Sequence, residues 1–188
     1  MDVRVKTAVA TEPIDSVFLN NFIKREDTES AETSLITSLG KAAREDFEKY
    51  TGLAFAEQTL EVSIFPIDLI NNKIELPYGP HITFTSLTYY TTNAKNGAMT
   101  AGTDFYKWGN NWLTLEILSQ TFLEGDIAEY RAVYTTGYGN DATEPLPNAL
   151  KILMGQQVNR WYMNRGDGIQ TLDSEIKREL YKWRRYAL

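Results

Sequence analysis

The sequence predicts an α+β fold, mainly α: a small helical bundle with an inserted antiparallel β-sheet or hairpin region and a protruding C-terminal helix. Three observations predict it. Apolar residues recur with a helical period between Val17 and Tyr50, and from Gln58 to Thr136 the period changes to two. At Ala132-Val-Tyr-Thr-Thr-Gly137-Tyr-Gly139 the strand pattern stops, and a helix pattern follows Pro145-Leu-Pro147. Gly137 and Gly139 supply permissive backbone there, and the prolines fit only at or before a helix's first turn.

Taken in order, residues 1–14 alternate weakly at Val3 and Val5 and read as an extended arm. Asp15 or Ser16 can cap a helix over about 16–24, whose Phe18, Leu19, Phe22 and Ile23 share one face. Arg25-Glu-Asp-Thr-Glu-Ser-Ala-Glu is a polar connection into the acidic first turn of a second helix, about 31–51. There Ile36, Leu39, Ala43, Phe47 and Tyr50 make a sustained core stripe, and Gly52 sits where a C-terminal stop belongs. The β insertion spans about 58–138, punctuated by Pro66, Pro77-Tyr-Gly-Pro80, Asn96-Gly97 and Gly125-Asp126; Asn96-Gly97 reads as a hairpin turn. Its connections are too short for helical crossovers, which predicts antiparallel order. A helix over about 147–165 carries Leu150, Leu153, Met154, Val158, Trp161 and Tyr162, and after Gly166-Asp-Gly168 Asp173 can cap a last helix to about Ala187. The organisation expected is one domain, 1–172, with a docking helix or arm at 173–188.

At 188 residues the chain suits one domain that buries roughly 70% of its unfolded surface. Its 43% hydrophobic and 12% aromatic content argues for a folded core rather than disorder. No run approaches the length of a membrane span, and Met1-Asp-Val-Arg-Val-Lys6 lacks the apolar stretch of a secretion signal, so a soluble protein made in a cytoplasm is expected. The absence of cysteine excludes disulfides, thiolate catalysis and sulfur-ligated metals; a single histidine excludes any site needing two. Residues 174–188 hold five Lys or Arg against two Glu, a charge of +3, which leaves 14 against 23, or −9, for the rest. An anionic body repels nucleic acid, whereas a cationic tail suits an acidic protein surface, including that of another copy.

On a helical wheel Leu180, Trp183 and Ala187 fall within about 40° of Ile176, while Lys177, Arg178, Lys182, Arg184 and Arg185 lie on the far side. Two readings stand side by side: a helix packed on its own domain with a solvated basic back, or a docking element for another subunit. His81, at the entry to a strand, reads as structural. Glu124/Asp126 and Glu12/Asp15 are paired carboxylates in polar turns, weak candidates for acid/base work. Arg165-Gly-Asp167 is explained by a helix end followed by glycine. The aromatics Tyr89, Tyr90, Phe105, Tyr106, Trp108, Trp112, Tyr134 and Tyr138 suit sheet packing better than base stacking. No phosphate loop, metal-ligand spacing or nucleophile elbow occurs, so no catalytic, cofactor or metal residue is assigned.

The run Ala42-Ala-Arg-Glu-Asp-Phe-Glu-Lys-Tyr-Thr-Gly-Leu-Ala-Phe55 precedes Ile74-Glu-Leu-Pro-Tyr-Gly-Pro80 and Leu87-Thr-Tyr-Tyr90. These are followed by Tyr134-Thr-Thr-Gly-Tyr-Gly139, Pro145-Leu-Pro-Asn-Ala-Leu-Lys-Ile-Leu153 and Trp161-Tyr162. That succession resembles the tailed-bacteriophage head–tail connector proteins, the adaptor (head-completion) family that sits below the portal. The chain departs from the family in lacking a basic-His-Leu-Arg signature in its first helix and in its longer charged tail. The resemblance implies a structural virion protein, not an enzyme, at the neck, assembled in the host cytoplasm. Its implied partners are other copies of itself in a ring of about twelve, the portal, a downstream tail-completion or stopper protein, and passing double-stranded DNA bound without sequence specificity; no membrane is implied. The subunit or portal interface implied is Ile176, Lys177, Arg178, Leu180, Lys182, Trp183, Arg184 and Arg185. Alternatives of other classes are a carbohydrate- or ligand-binding module built on the aromatics, and a carboxylate-based cell-wall hydrolase using Glu124 and Asp126.

Overall fold

A computed structural model describes residues 1–24, 30–109, 111–118, 126–139, 145–164 and 171–184. The fold is α+β with antiparallel sheets, and helix leads strand narrowly, 36% to 33%. The chain divides into two compact units: a β-unit of Met1–Ala10 and Glu57–Gly137, and a helical unit of Thr11–Ala56 and Tyr138–Tyr186.

In the β-unit, β1 (Asp2–Thr7), β2 (Gln58–Ile64), β4 (His81–Thr91), β5 (Asn96–Ala98) and β8 (Ile127–Thr136) form one sheet in the order β1-β2-β8-β4-β5. A second sheet, ordered β3-β7-β6, contains β3 (Lys73–Glu75), β6 (Phe105–Trp108) and β7 (Thr114–Ile117). Alternation explains the burial: Leu60, Val62 and Ile64 of β2 and Tyr130, Ala132 and Tyr134 of β8 meet Ile74, Phe105, Leu115 and Ile117 of the smaller sheet in one core. The N-terminal arm is thus a paired edge strand, with Val3 opposite Val62 and Val5 opposite Leu60. The β4–β5 hairpin corrects one expectation. Its turn is Thr92–Lys95, closed by the Thr91 N–H donating to the Lys95 carbonyl at 2.8 Å, with Ala94 at φ 59°. Asn96-Gly97 lies in β5 instead, and a Cβ on Gly97 would fall 2.8 Å from the Tyr89 ring, so that glycine makes room for a tyrosine rather than a turn.

The helical unit contains α1 (Ser16–Ile23), α2 (Ser30–Thr51), α3 (Asn148–Met163) and α4 (Ser174–Leu180), the last followed by a 3-10 turn at Tyr181–Trp183. Asp15 caps α1 by accepting the Phe18 N–H at 2.7 Å. Ile36, Ala43 and Phe47 of α2 and Leu150, Met154, Val158 and Trp161 of α3 are buried, as the helical period requires. Glycines set how closely α1 approaches: a Cβ on Gly40 of α2 would stand 2.9 Å from Leu19, and one on Gly155 of α3 would stand 3.0 Å from Phe22. The terminal helix, expected to protrude and to run to about Ala187, is shorter and lies against α2 and α3 with Ile176 and Leu180 buried. Its apolar residues find partners within their own unit.

Candidate functional site

The terminal helix is held by a small set of groups on α3. Asp173 performs two tasks with one carboxylate: Oδ1 caps α4 by accepting the Glu175 N–H at 2.9 Å, and Oδ2 accepts from the Arg160 guanidinium. Arg160 also reaches Glu175 at 3.0 Å. Gln157 is buried; its Oε1 accepts the Asp173 N–H at 3.0 Å while its Nε2 donates to the Thr171 carbonyl at 3.5 Å. Leu172, Ile176 and Leu180 add apolar burial. Beside this seat lies a cavity of about 430 Å³, lined by polar groups that include Gln157, Arg160, Asn164, Ser174 and Lys177. Its Arg160 is already engaged by two carboxylates.

This packing sorts the expected interface residues. Ile176 and Leu180 are buried and present no free surface in this state. Arg178, Lys182 and Arg184 are exposed, Lys177 and Trp183 are half-buried, and Arg185 lies outside the described residues. Between Ser174 and Arg184, four cations face two carboxylates, Glu175 and Glu179, a net of +2. Glu179 takes Lys182 as an ion-pair partner, and that hydrogen bond holds its carboxyl below the ordinary value. Arg184 lies 5.5 Å from the Tyr50 ring centroid. What remains outward is a mild cationic strip.

The residues that carry the family resemblance turn out to hold the fold together. At the end of α2 the Glu48 carboxylate accepts the Phe55 N–H at 2.7 Å and pairs with Arg44 at 2.8 Å, and Arg44 reaches Glu12 at 2.9 Å. Burial pushes the Glu48 carboxyl up, against the pull of Arg44 and the Phe55 N–H. Thr51 Oγ1 donates to the Phe47 carbonyl at 2.7 Å, and Gly52 takes φ 73°, a left-handed step that ends the helix and folds Phe55 edge-on against Phe47. In the β-unit, the Pro77–Pro80 loop is clipped to β8. The Tyr134 hydroxyl donates to the Pro77 carbonyl, Thr136 Oγ1 lies 2.9 and 2.8 Å from the carbonyls of Tyr78 and Pro80, and the Gly137 N–H donates to Pro80 at 2.9 Å. Nothing in the sequence period signals Arg44 as buried.

The remaining candidates resolve in structural terms. His81 is half-buried and stacked on Tyr134 at 6.4 Å; desolvation, with Lys107 nearby, pulls its imidazole below the usual value. Glu12 and Asp15 serve Arg44 and the α1 cap. Asp126 is exposed, while Glu124 and Arg165-Gly-Asp167 lie outside the described residues. Among the described residues no group of His, Asp and Glu could hold a metal ion, and no helix is long and apolar enough to cross a membrane. Tyr106 and Trp108 of β6 stand outward, their ring centroids 5.7 Å apart with Lys73 over Trp108. Sequence reading also missed an apolar turn in which Ile67 is 91% and Ile70 67% exposed; the run Phe65-Pro-Ile67 after β2 was its available signal.

No protein-family model matches this chain, and no curated protein sequence does either. Solved structures do match its fold over its whole length. A chain in the neck of an empty gene transfer agent (GTA) particle, computed with C6 symmetry, is 18% identical with a TM-score of 0.77, covering 100% of this chain and 97% of that one. A chain in the virion of the native GTA particle gives 18% identity and a TM-score of 0.76 at the same coverage. One in the neck of the native particle, computed with C12 symmetry, gives 18% and 0.70, again at 100% and 97% coverage.

Proposed function

We propose that this chain is a structural, non-enzymatic component of the neck of a phage-like particle: an adaptor that forms a ring beneath the portal, joins head to tail and extends the DNA channel. The observation that carries the proposal is the fold likeness over 100% of this chain and 97% of a chain from a GTA neck. Neck particles of that kind were computed with C6 and C12 symmetry, which supports a ring of about twelve copies here. The structural use of Glu12, Asp15 and His81 fits an assembly role. The partners proposed are further copies of the chain, the portal, a tail-completion protein below, and DNA passing without sequence-specific contacts.

The cationic strip of half-buried Lys177 and exposed Arg178, Lys182 and Arg184 is the proposed meeting point with an acidic surface of the portal. The test is to mix the protein with the portal ring from the same genome, separate by size, and image the heavy fraction by electron microscopy. A symmetric second ring is expected, and reversing those four charges to Glu should abolish it at physiological salt. Failure of the unaltered chain to comigrate with the portal across salt and concentration would overturn the adaptor role. A carbohydrate-binding module is the second reading, favoured by the outward Tyr106 and Trp108. A saturable shift of tryptophan fluorescence with cell-wall sugars, lost in Trp108→Ala, would support it.

A further inference from the structure

The seat on α3 holds a short segment of its own chain, and the same segment is present in every copy. Gln157, buried and directed at two backbone groups of residues 171–173, has the form of a recognition side chain, and Arg160 reads the two carboxylates that follow. Leu172, Ile176 and Leu180 supply the apolar anchors. We propose that in the assembled ring α4 is exchanged, the Leu172–Leu180 segment of one copy seating on α3 of a second copy. The proposal rests on the ring reading above and names how neighbouring subunits are tied.

Three physical points support it. First, complementarity between copies is supplied by identity, since the exchanged contact repeats the hydrogen bonds, ion pairs and burial of the internal one; this is why swapping of an identical element is a low-cost route to association. Second, a helix of seven residues is unstable unless docked, so α4 must occupy some seat, its own or a neighbour's. Third, the connection from Asn164 to Thr171 is seven peptide steps and reaches at most about 25 Å when extended, and its sequence includes Gly166 and Gly168. With equal contacts the choice of seat is set by effective concentration. In the free chain its own seat wins. In a ring that holds a second α3 within reach, exchange links the subunits, and Lys177, Arg178, Lys182 and Arg184 travel with the helix.

Because the chain has no cysteine, introduced thiols report without interference. Asn164 and Ser174 line the same cavity, so an Asn164→Cys chain and a Ser174→Cys chain, mixed and treated with a short bismaleimide, join only if one copy's α4 reaches another's α3. The expected result is a two-chain product in rings assembled on the portal, absent from the free mixture and from rings of either variant alone. The doubly substituted chain should form an internal link when free and a ladder of linked chains in rings. Should the Ser174 variant melt below wild type, Thr171→Cys, which lines the same cavity, takes its place. Rings whose links are all internal would overturn exchange and leave the adaptor reading standing. A wild-type chain that forms no ring would overturn both.

Discussion

Arg44 and Arg160 perform the same task in the helical unit under opposite conditions. Each is a guanidinium on a long helix that gathers carboxylates from a segment distant in sequence: Glu12 for Arg44, Asp173 and Glu175 for Arg160. The Arg44 side chain is 9% exposed and that of Arg160 is 45% exposed. Burial makes the first arrangement costly to break, because a stranded guanidinium or carboxylate has no water to replace its partner. Exposure makes the second cheap to open and close, because water stands ready. The difference separates a tie that must persist from one that can open, and it coincides with a division between fixed structure and the proposed assembly surface.

The largest effect should come from breaking the buried tie. Glu48→Ala removes the partner of Arg44 and the acceptor of the Phe55 N–H together, and it is expected to cost about 3–5 kcal/mol in urea unfolding. Glu48→Gln keeps an acceptor for Phe55 and should cost less. A loss below about 1 kcal/mol for Glu48→Ala would show that the network is dispensable and remove the contrast with Arg160. In the β-unit the comparable tie is neutral. Thr136→Val strips a hydroxyl from the carbonyls of Tyr78 and Pro80 without changing shape, and should cost about 1–3 kcal/mol. Because Pro80 also accepts from the Gly137 N–H, the lower half of that range is expected.

Much of this was legible in the sequence, and what was not has a common cause. Ile36, Ala43 and Phe47 announce their burial through a period that one helix displays by itself, and the alternation of Leu60, Val62 and Ile64 does the same for a strand. Pairing is a property of two segments, so neither the match of β1 to β2 nor the division of the β-unit into two sheets is visible along the chain. Asn96-Gly97 misled because glycine is read as turn chemistry, although here it answers the bulk of Tyr89 across the ladder. For the candidate site, the wheel of Ile176 and Leu180 correctly marked one apolar face, but a wheel cannot name what covers it. Gln157 and Arg160, thirteen or more residues upstream of Asp173, carry no local sign of being its partners.

A smaller effect, dependent on pH, tests whether the β-unit tolerates charge where the helical unit does. Burial beside Tyr134, with Lys107 opposing protonation, pulls the folded pKa of His81 below the ordinary 6.5. Well above pH 6.5 both folded and unfolded chains carry a neutral imidazole and the group contributes little to the slope. Below it the unfolded chain binds the proton first, so stability falls with acidification until the folded pKa is reached. Wild type should therefore lose more stability than His81→Gln between pH 7.5 and pH 5.5, the carboxylates cancelling in the difference. Equal losses would show that His81 is solvated in both states.

The smallest change in stability, and the most direct return to the opening contrast, is expected from Arg160→Ala. An exposed pair of this kind contributes about 0–1 kcal/mol, so urea midpoints should barely move. Opening of α4 is a different quantity. The amides of Ile176 to Leu180 exchange hydrogen through local release of a helix that cannot persist undocked, so removal of its guanidinium clasp should speed their exchange several-fold while amides around Phe47 and Phe55 keep their rates. Gln157→Ala, which removes the buried half of the same seat, should speed it further. If all these amides instead slow or quicken together, α4 unfolds with the rest of its unit, and the seat is a fixed joint like that at Arg44, too permanent for any exchange between copies.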